Sequence, residues 1–256
     1  MSMRLALLLS LALATPAFAI SGNAPPASSF AVQALVMIVD SRGGFCTGTA
    51  IARDLVLTAA HCVARPANYR VRLSKEGGVT EVEATRSHPG FSMANYVKNR
   101  ATADVALVKL KAPLPASIVP ASLGGTRRVA VGEMMIVAGF GSTQDGKELG
   151  IGEPRMAPLV VTGQPGSLQI RLYDPATRNE RVGLGSCTGD SGGPAFGRKE
   201  ADGGQKDLGE VMGVVSWSTA PKNEAGCGGL TGLTPLLNYR AWIVDIAAKL
   251  GSPVGQ

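Results

Sequence analysis

Short apolar runs separated by turn residues recur along most of the chain. Runs of this length, with Gly and Pro punctuation between them, predict β-strands. Many short strands in one chain are typical of an all-β fold built from barrels. The first predicted set covers residues 30–39, 49–58, 69–73, 79–84 and 105–110; the second covers 134–138, 156–161, 168–173, 194–196, 211–217 and 230–236.

Three stretches break this pattern. Residues 111–125 contain three prolines and two glycines and predict a connection between two domains. Residues 198–207 are charged and contain glycine, which predicts a solvent loop between two strands. A helix is predicted near the C-terminus, with Asn238 as N-cap and Gly251 as stop, because apolar residues recur there at helical spacing: Tyr239, Trp242, Ile243, Ile246, Ala247 and Leu250.

Composition narrows the function classes. The 256 residues are 45% hydrophobic, which is enough for a sizeable core. The net charge is +6, but the basic residues are scattered and only 5% of residues are aromatic, so we expect no nucleic-acid partner. With no C-x-x-C pair and only two histidines, a Cys/His metal site is disfavoured, and we expect no metal and no cofactor.

The first nineteen residues predict a signal peptide. Arg4 supplies a positive start, residues 5–14 form a short apolar core, and residues 17–19 read Ala-Phe-Ala, an A-x-A cleavage site. No run is long enough for a membrane-spanning helix. We therefore expect a protein that is secreted or periplasmic, without a membrane partner, in which disulfides are possible.

Candidate chemistry lies in three separate stretches. The turn Cys187-Thr188-Gly189-Asp190-Ser191-Gly192-Gly193-Pro194 can bend tightly enough to aim backbone N–H groups beside one serine hydroxyl, although a glycine-rich hairpin with an incidental serine fits this motif alone equally well. His61 ends the run Leu-Val-Leu-Thr-Ala-Ala-His, and a histidine can take the proton of a serine nucleophile near neutral pH. Asp104 precedes an apolar strand; unless it faces water at the strand end, its carboxylate needs a partner such as an imidazole N–H.

These blocks, T-A-A-H-C, D-V-A-L-V and G-D-S-G-G-P in that order, resemble the trypsin/chymotrypsin family of serine proteases. The order excludes an α/β-hydrolase, in which the serine comes first. The resemblance implies two six-stranded antiparallel β-barrels with a C-terminal α-helix, with residues 20–120 and 121–256 as the two domains and the N-terminal segment docked on the second barrel. It implies a monomeric serine endopeptidase that acts on proteins or peptides; the alternative is an inactive homologue that serves as a binding module.

The resemblance also assigns roles. Ser191 is the expected nucleophile, His61 its base and Asp104 the group that orients the imidazole, while His88 falls in a block that resembles a family surface loop. The N–H groups of Gly189 and Ser191 are the expected oxyanion donors. Four cysteines allow three pairings; the family pattern favours Cys46–Cys62 and Cys187–Cys227.

Specificity follows from the expected substrate pocket. Gly185 stands where trypsin-like members carry the aspartate that binds Lys or Arg. Ser216-Trp217-Ser218 resembles the edge segment that pairs with an extended peptide, and Ser218 replaces a usual glycine. With Thr231 on the opposite wall, the pocket is predicted to be narrow and to prefer small or medium apolar residues.

Activation is the last expectation. Cleavage after Ala19 would give a chain that begins Ile20-Ser21-Gly22-Asn23, similar to the start of an activated family member. The new α-ammonium of Ile20 would then pair with Asp190. Since burial of either charge alone is costly, each requires the other, and we expect export itself to activate the enzyme.

Overall fold

Two closed barrels of antiparallel strands make up the fold of the computed structural model. It describes residues 20–73, 77–147, 150–164, 166–200 and 206–255. The all-β prediction with two six-stranded barrels is confirmed. The predicted signal peptide lies outside the described residues.

The first barrel has the strand order β1-β2-β3-β6-β5-β4. Its apolar side chains point inward in alternation, as in Tyr69–Arg72, where buried and exposed residues alternate. Its strands are β1 Leu35–Asp40, β2 Phe45–Ala52, β3 Leu55–Thr58, β4 Tyr69–Arg72, β5 Val79–Ser87 and β6 Ala106–Leu110.

The second barrel repeats the arrangement with the order β10-β11-β12-β9-β8-β7. Ile20 and Ala24, from the N-terminal segment, are buried in its core, and Ser21 forms a β-bridge with Gly185. The N-terminal segment therefore lies against the second barrel. The strands are β7 Met134–Gly139, β8 Arg155–Gly163, β9 Ile170–Tyr173, β10 Pro194–Glu200, β11 Lys206–Ser218 and β12 Thr231–Pro235.

Helices are short, and several connect or flank the barrels. They are α1 Ser29–Ala34, α2 Ala60–Val63, α3 Met93–Tyr96 and α4 Arg240–Lys249, with 3₁₀ turns at Pro221–Asn223 and Leu236–Asn238. The C-terminal helix is confirmed, and Gly251 ends it with φ +73°. The predicted cap is wrong: Asn238 closes the preceding 3₁₀ turn, and Tyr239 is the N-cap residue. No helix within the described ranges is long and apolar enough to cross a membrane.

Three predicted boundaries are also wrong. Residues 30–34 belong to α1, whose N-cap Ser28 accepts from Ala31 N, because a short apolar run alone does not separate a buried helix from a strand. Residues 49–58 are two strands, since Arg53-Asp54 turns the chain between them. The predicted loop 198–207 is shorter, because β10 runs to Glu200 and β11 begins at Lys206.

Candidate active site

The side chains of His61 and Asp104 are in contact, and both residues lie next to strands of the first barrel. His61 sits in α2, directly after β3, and Asp104 lies two residues before β6. The Asp104 carboxylate is 1% exposed; it accepts from His61 N at 2.9 Å and lies 2.8 Å from Nδ1. A carboxylate can only accept, so Nδ1 carries the proton and Nε2 of a neutral ring keeps its lone pair. This arrangement fixes the imidazole as a base.

Ser216 adds a third donor to the same carboxylate. Its hydroxyl donates to Asp104 Oδ2 at 2.5 Å, although Ser216 belongs to β11 of the second barrel. Burial of a carboxylate is costly unless it is hydrogen-bonded. The three donors from two barrels supply that compensation and hold Asp104 in one orientation.

The turn that carries Ser191 has the shape predicted from its glycines. Gly189 has φ +95°, and a Cβ there would fall 2.0 Å from Cε2 of Phe45, so the position requires glycine on both counts. Within the described part of the chain, neither Gly189 N–H nor Ser191 N–H donates to a protein acceptor. Unpaired backbone donors at a buried turn are rare. They are available to an oxygen of a ligand.

Thr47 of β2 holds this turn from the first barrel. It is fully buried; its N–H donates to Ser191 O at 2.9 Å and its hydroxyl donates to Gly189 O at 2.8 Å. The same hydroxyl accepts from Phe140 N at 3.1 Å. Thr47 thus holds the Ser191 turn on both sides of Asp190, with its main-chain N–H on one carbonyl and its hydroxyl on the other.

Ser191 and His61 come together at the disulfide of the first barrel. Cys62 Sγ lies 3.7 Å from His61 Nε2 and 3.8 Å from Ser191 O. Among the hydrogen bonds of the described residues, none joins the Ser191 hydroxyl to Nε2. The Ser191 carbonyl oxygen and His61 Nε2 therefore lie near the same sulfur atom, which brings the two residues close together.

The expected pocket residues are also neighbours. Ser218 and Thr231 face each other in the β11–β12 ladder. Thr231 is fully buried, and its hydroxyl oxygen lies 2.9 Å from Ser186 N and 3.1 Å from Ser186 Oγ. Gly185, next in the chain, is buried against Gly228, whose Cα would be 3.2 Å from an added Cβ. A side chain larger than glycine at position 185 would therefore press against the backbone of Gly228.

The edge segment is open on one side. The β10–β11 ladder ends at the pair Pro194 and Val214, whereas the β11–β12 ladder continues to Ser218. The register skips Ser216, which forms a bulge between Val215 and Trp217. A bulged residue is left unpaired in its ladder, and the Ser216 carbonyl accepts a hydrogen bond from the Tyr96 hydroxyl.

Asp190 is completely buried behind the turn. Its carboxylate accepts from Cys187 N and from Gly141 N, each at 2.8 Å. Burial raises the pKa of Asp190 from 3.8 to about 7, an effect that the two N–H donors oppose. In the full chain the nitrogen of Ile20 is a peptide nitrogen, because Ala19 precedes it, and it brings no charge to this carboxylate.

Both histidines contact aromatic rings. The ring of Tyr96 stacks on His61 with centroids 4.3 Å apart and an interplanar angle of 12°. The ring of His88 packs edge-on against the rings of Tyr239 and Trp242 at the C-terminal helix, with centroids 4.9 and 5.0 Å apart. Burial lowers the pKa of His88. Of the two histidines, only His61 contacts Asp104 among the described contacts.

Both disulfides implied by the family pattern are present. Cys46–Cys62 lies beside His61, and Cys187–Cys227 joins the turn that carries Ser191 to the loop before β12. Two clusters in the described residues have donor atoms close enough for a metal, Cys46/His61/Cys62 and Asp145/Cys187/Cys227. In each cluster both sulfur atoms are bonded to one another and are not thiolates, so neither cluster is a thiolate metal site.

Three residues of the site were not found from sequence. Thr47, Phe45 and Tyr96 carry no motif: the first two look like ordinary strand residues, and Tyr96 lies in a stretch of mixed composition between His88 and Asp104. The two aromatic residues of that stretch, Phe91 and Tyr96, are the signal that could have drawn attention to it.

Known proteins resemble this chain along most of its length. The family model described as Trypsin matches residues 19–243. Snake venom serine protease rhinocerase 4 from Bitis rhinoceros is 28% identical over 224 residues, covering 84% of this chain and 82% of that protein. Thrombin-like enzyme CPI-enzyme 2 from Gloydius ussuriensis is 27% identical over 228 residues, with coverage of 84% and 82%.

A solved structure shares the fold. Neuropsin, a serine protease expressed in the limbic system of mouse brain, superposes with a TM-score of 0.68 at 20% identity, over 88% of this chain and 98% of that one. Identity this low speaks for the fold alone.

Proposed function

The chain belongs to the trypsin family of serine endopeptidases, and we propose that it hydrolyses peptide bonds with Ser191 as nucleophile, His61 as general base and Asp104 as the group that orients the imidazole. The observation that carries the proposal is the contact of 2.8 Å between His61 Nδ1 and the buried Asp104 carboxylate. It leaves Nε2 as a base beside the Ser191 turn. Other residues supply the oxyanion donors and the edge that binds the substrate.

The reaction has two halves. The Ser191 hydroxyl gives its proton to His61 Nε2 while its oxygen bonds to the substrate carbonyl carbon. The imidazolium returns the proton to the leaving nitrogen as the C–N bond breaks, which leaves an ester on Ser191. Water, deprotonated by Nε2, then hydrolyses that ester. In enzymes without substrate, the serine–histidine hydrogen bond is often long and tightens on binding.

Oxyanion stabilisation falls to the turn itself. The unpaired N–H groups of Gly189 and Ser191 are the donors that the negative oxygen of the tetrahedral intermediate requires. Thr47 fixes the carbonyls on either side of Asp190, so these donors need little reorganisation during the reaction. Preorganised donors of this kind each lower the activation barrier by about 3 kcal/mol.

Substrate would bind as an added strand. Trp217 and Ser218 of β11 have partners in β12 on one side, and the β10 ladder stops at Val214 on the other. An extended peptide can use the free side through main-chain hydrogen bonds. Ser218 and Thr231 would narrow the pocket for the residue before the cleaved bond. We expect small or medium apolar side chains there, and no preference for Lys or Arg, because Gly185 provides no charge.

Activation is proposed to follow removal of residues 1–19. Two features support a cut before Ile20. Ile20 has φ +55°, a conformation that β-branched residues rarely adopt, and an N-terminal residue has no φ to strain. Among the described residues no charged group pairs with the buried Asp190 carboxylate, and an α-ammonium would supply such a partner. The disulfides favour an oxidising compartment outside the cytosol.

Digestion of a denatured proteome tests this function. The mature protein should cut after small apolar residues, and the Ser191→Ala variant should leave the mixture intact. If both proteins leave it intact while remaining folded by circular dichroism, the chain is an inactive homologue that acts through binding. N-terminal sequencing of the secreted protein should read Ile-Ser-Gly-Asn; any other start removes the proposed ion pair.

A further inference from the structure

Tyr96 lies across the cleft between the two halves of the site. Its ring stacks on His61, a residue of the first barrel, while its hydroxyl donates to Ser216 O, in the second barrel, at 3.3 Å. The side chain therefore spans from the imidazole to the open edge of β11. Phe91 is the other aromatic ring near it, at 6.4 Å between centroids.

Two cavities meet at this side chain. One, of about 230 Å³, is lined by His61, Cys62 and Tyr96. The other, of about 700 Å³, is lined by Ser216, Trp217 and again Tyr96. Tyr96 is thus a shared wall between a cavity at the base and a cavity at the strand edge.

The Ser216 carbonyl is the hydrogen-bond acceptor that Tyr96 occupies. Ser216 has no register partner in the β11–β12 ladder, and Tyr96 is the hydrogen-bond donor described for its carbonyl. Burial, together with the charge of Asp104, raises the pKa of the Tyr96 hydroxyl, so the hydroxyl is protonated and can donate near neutral pH. A peptide added to residues 216–218 would direct its own N–H groups to this edge.

We propose that Tyr96 is a substrate-displaced residue: an extended peptide binds only after its main-chain N–H replaces the Tyr96 hydroxyl on the Ser216 carbonyl and the ring leaves the space beside His61. The inference rests on the proposed function, because it takes residues 216–218 as the substrate edge. It makes Tyr96 a determinant of which compounds react. Extended peptides must displace the ring, whereas small acylating reagents that do not reach Ser216 need not.

The segment that carries Tyr96 is suited to such a movement. α3 has four residues, none of them buried, and is capped by Ser92, whose hydroxyl accepts from Asn95 N. The next residue, Val97, is 61% exposed. A short element without buried residues is the kind of segment that opens at low free-energy cost.

Binding to a protein that cannot react provides the test. The affinity of an N-acetylated hexa-alanine amide is measured by calorimetry for Ser191→Ala and for Ser191→Ala with Tyr96→Phe. Loss of one competing hydrogen bond should tighten binding about fivefold, and Tyr96→Ala should tighten it at least as much. Tyr173→Phe, which removes a hydroxyl on β9 outside both cavities, is the matched control and should leave affinity unchanged.

Turnover provides the second readout. With Ser191 intact, Tyr96→Phe should lower KM for an acylated tetra-alanine anilide by the same factor, and should leave the rate of labelling by a small fluorophosphonate unchanged. Unchanged or weaker affinity in the Tyr96 variants, or no peptide binding to any variant, would overturn the proposal. Failure of the wild type to cleave peptides refutes the proposed function separately, because the calorimetric comparison does not require catalysis.

Discussion

The ring of Phe45 packs directly against Gly189, with Cε2 only 2.0 Å from where a Cβ on Gly189 would lie. Phe45 belongs to the first barrel, and Gly189 belongs to the turn of the second barrel that carries Ser191. The contact sets the backbone of a candidate oxyanion donor from across the cleft.

Gly189→Ala should therefore cost most of the activity. The added methyl overlaps the ring and must also adopt φ +95°, so the turn has to move and the N–H group loses its aim. We expect kcat to fall about 100- to 1,000-fold, the range for loss of one oxyanion donor. Gly163→Ala is the control, because an added Cβ there meets nothing within 4 Å. Equal activity of the two variants would contradict a role for the turn.

Thr47→Val tests the support of the turn. The substitution keeps the shape and removes the hydroxyl that Gly189 O and Phe140 N share. We expect kcat to fall about tenfold or more with little change in KM, and weaker binding of a peptide boronate, whose oxygen probes the oxyanion site. Thr47→Ser should restore most of both. Thr49→Val, a buried threonine on the same strand, controls for loss of stability alone.

Much of this arrangement could be predicted from sequence, for identifiable reasons. His61, Asp104 and Ser191 each lie in a local motif, and strands such as Tyr69–Arg72 follow simple alternation. Contacts between barrels are different, because they join residues far apart in sequence and use common residue types. Thr47 meets Gly189 over 142 positions, and no local pattern reports that distance.

Asp190 predicts that the stability of the full chain depends on pH and that cleavage before Ile20 removes this dependence. In the full chain the folded pKa, about 7, exceeds the ordinary 3.8, so folding favours the protonated form. Its contribution to stability is complete below about pH 4 and is lost as pH rises through 7, a change on the order of 4 kcal/mol. In a chain that begins at Ile20, the α-ammonium should pair with the carboxylate and remove this loss.

Denaturant unfolding at pH 4, 5.5, 7 and 8 measures that difference. Both chains carry Ser191→Ala to prevent self-digestion. In the full chain Asp190→Asn should flatten the profile between pH 4 and 7. Parallel profiles for the two chains would mean that the Ile20 terminus does not reach Asp190.

The width of the proposed substrate pocket predicts the relative rates at which small substrates react. Ser218 and Thr231 face each other across the ladder, so chromogenic peptides ending in Ala should react faster than those ending in Phe, and those ending in Arg should be slowest. Ser218→Gly should raise the rate for Phe relative to Ala about tenfold, in line with the effect of small volume changes in apolar pockets. Fastest turnover of the Arg peptide would refute the role assigned to Gly185.

The central claim is that Ser191 is a nucleophile activated by His61 and Asp104. The most direct measurement treats the mature protein with a fluorophosphonate and locates the adduct by peptide mass spectrometry. We predict a single adduct on Ser191, formed at least 1,000-fold more slowly in His61→Ala. An adduct elsewhere, or equal labelling of a folded His61→Ala variant, would contradict the account.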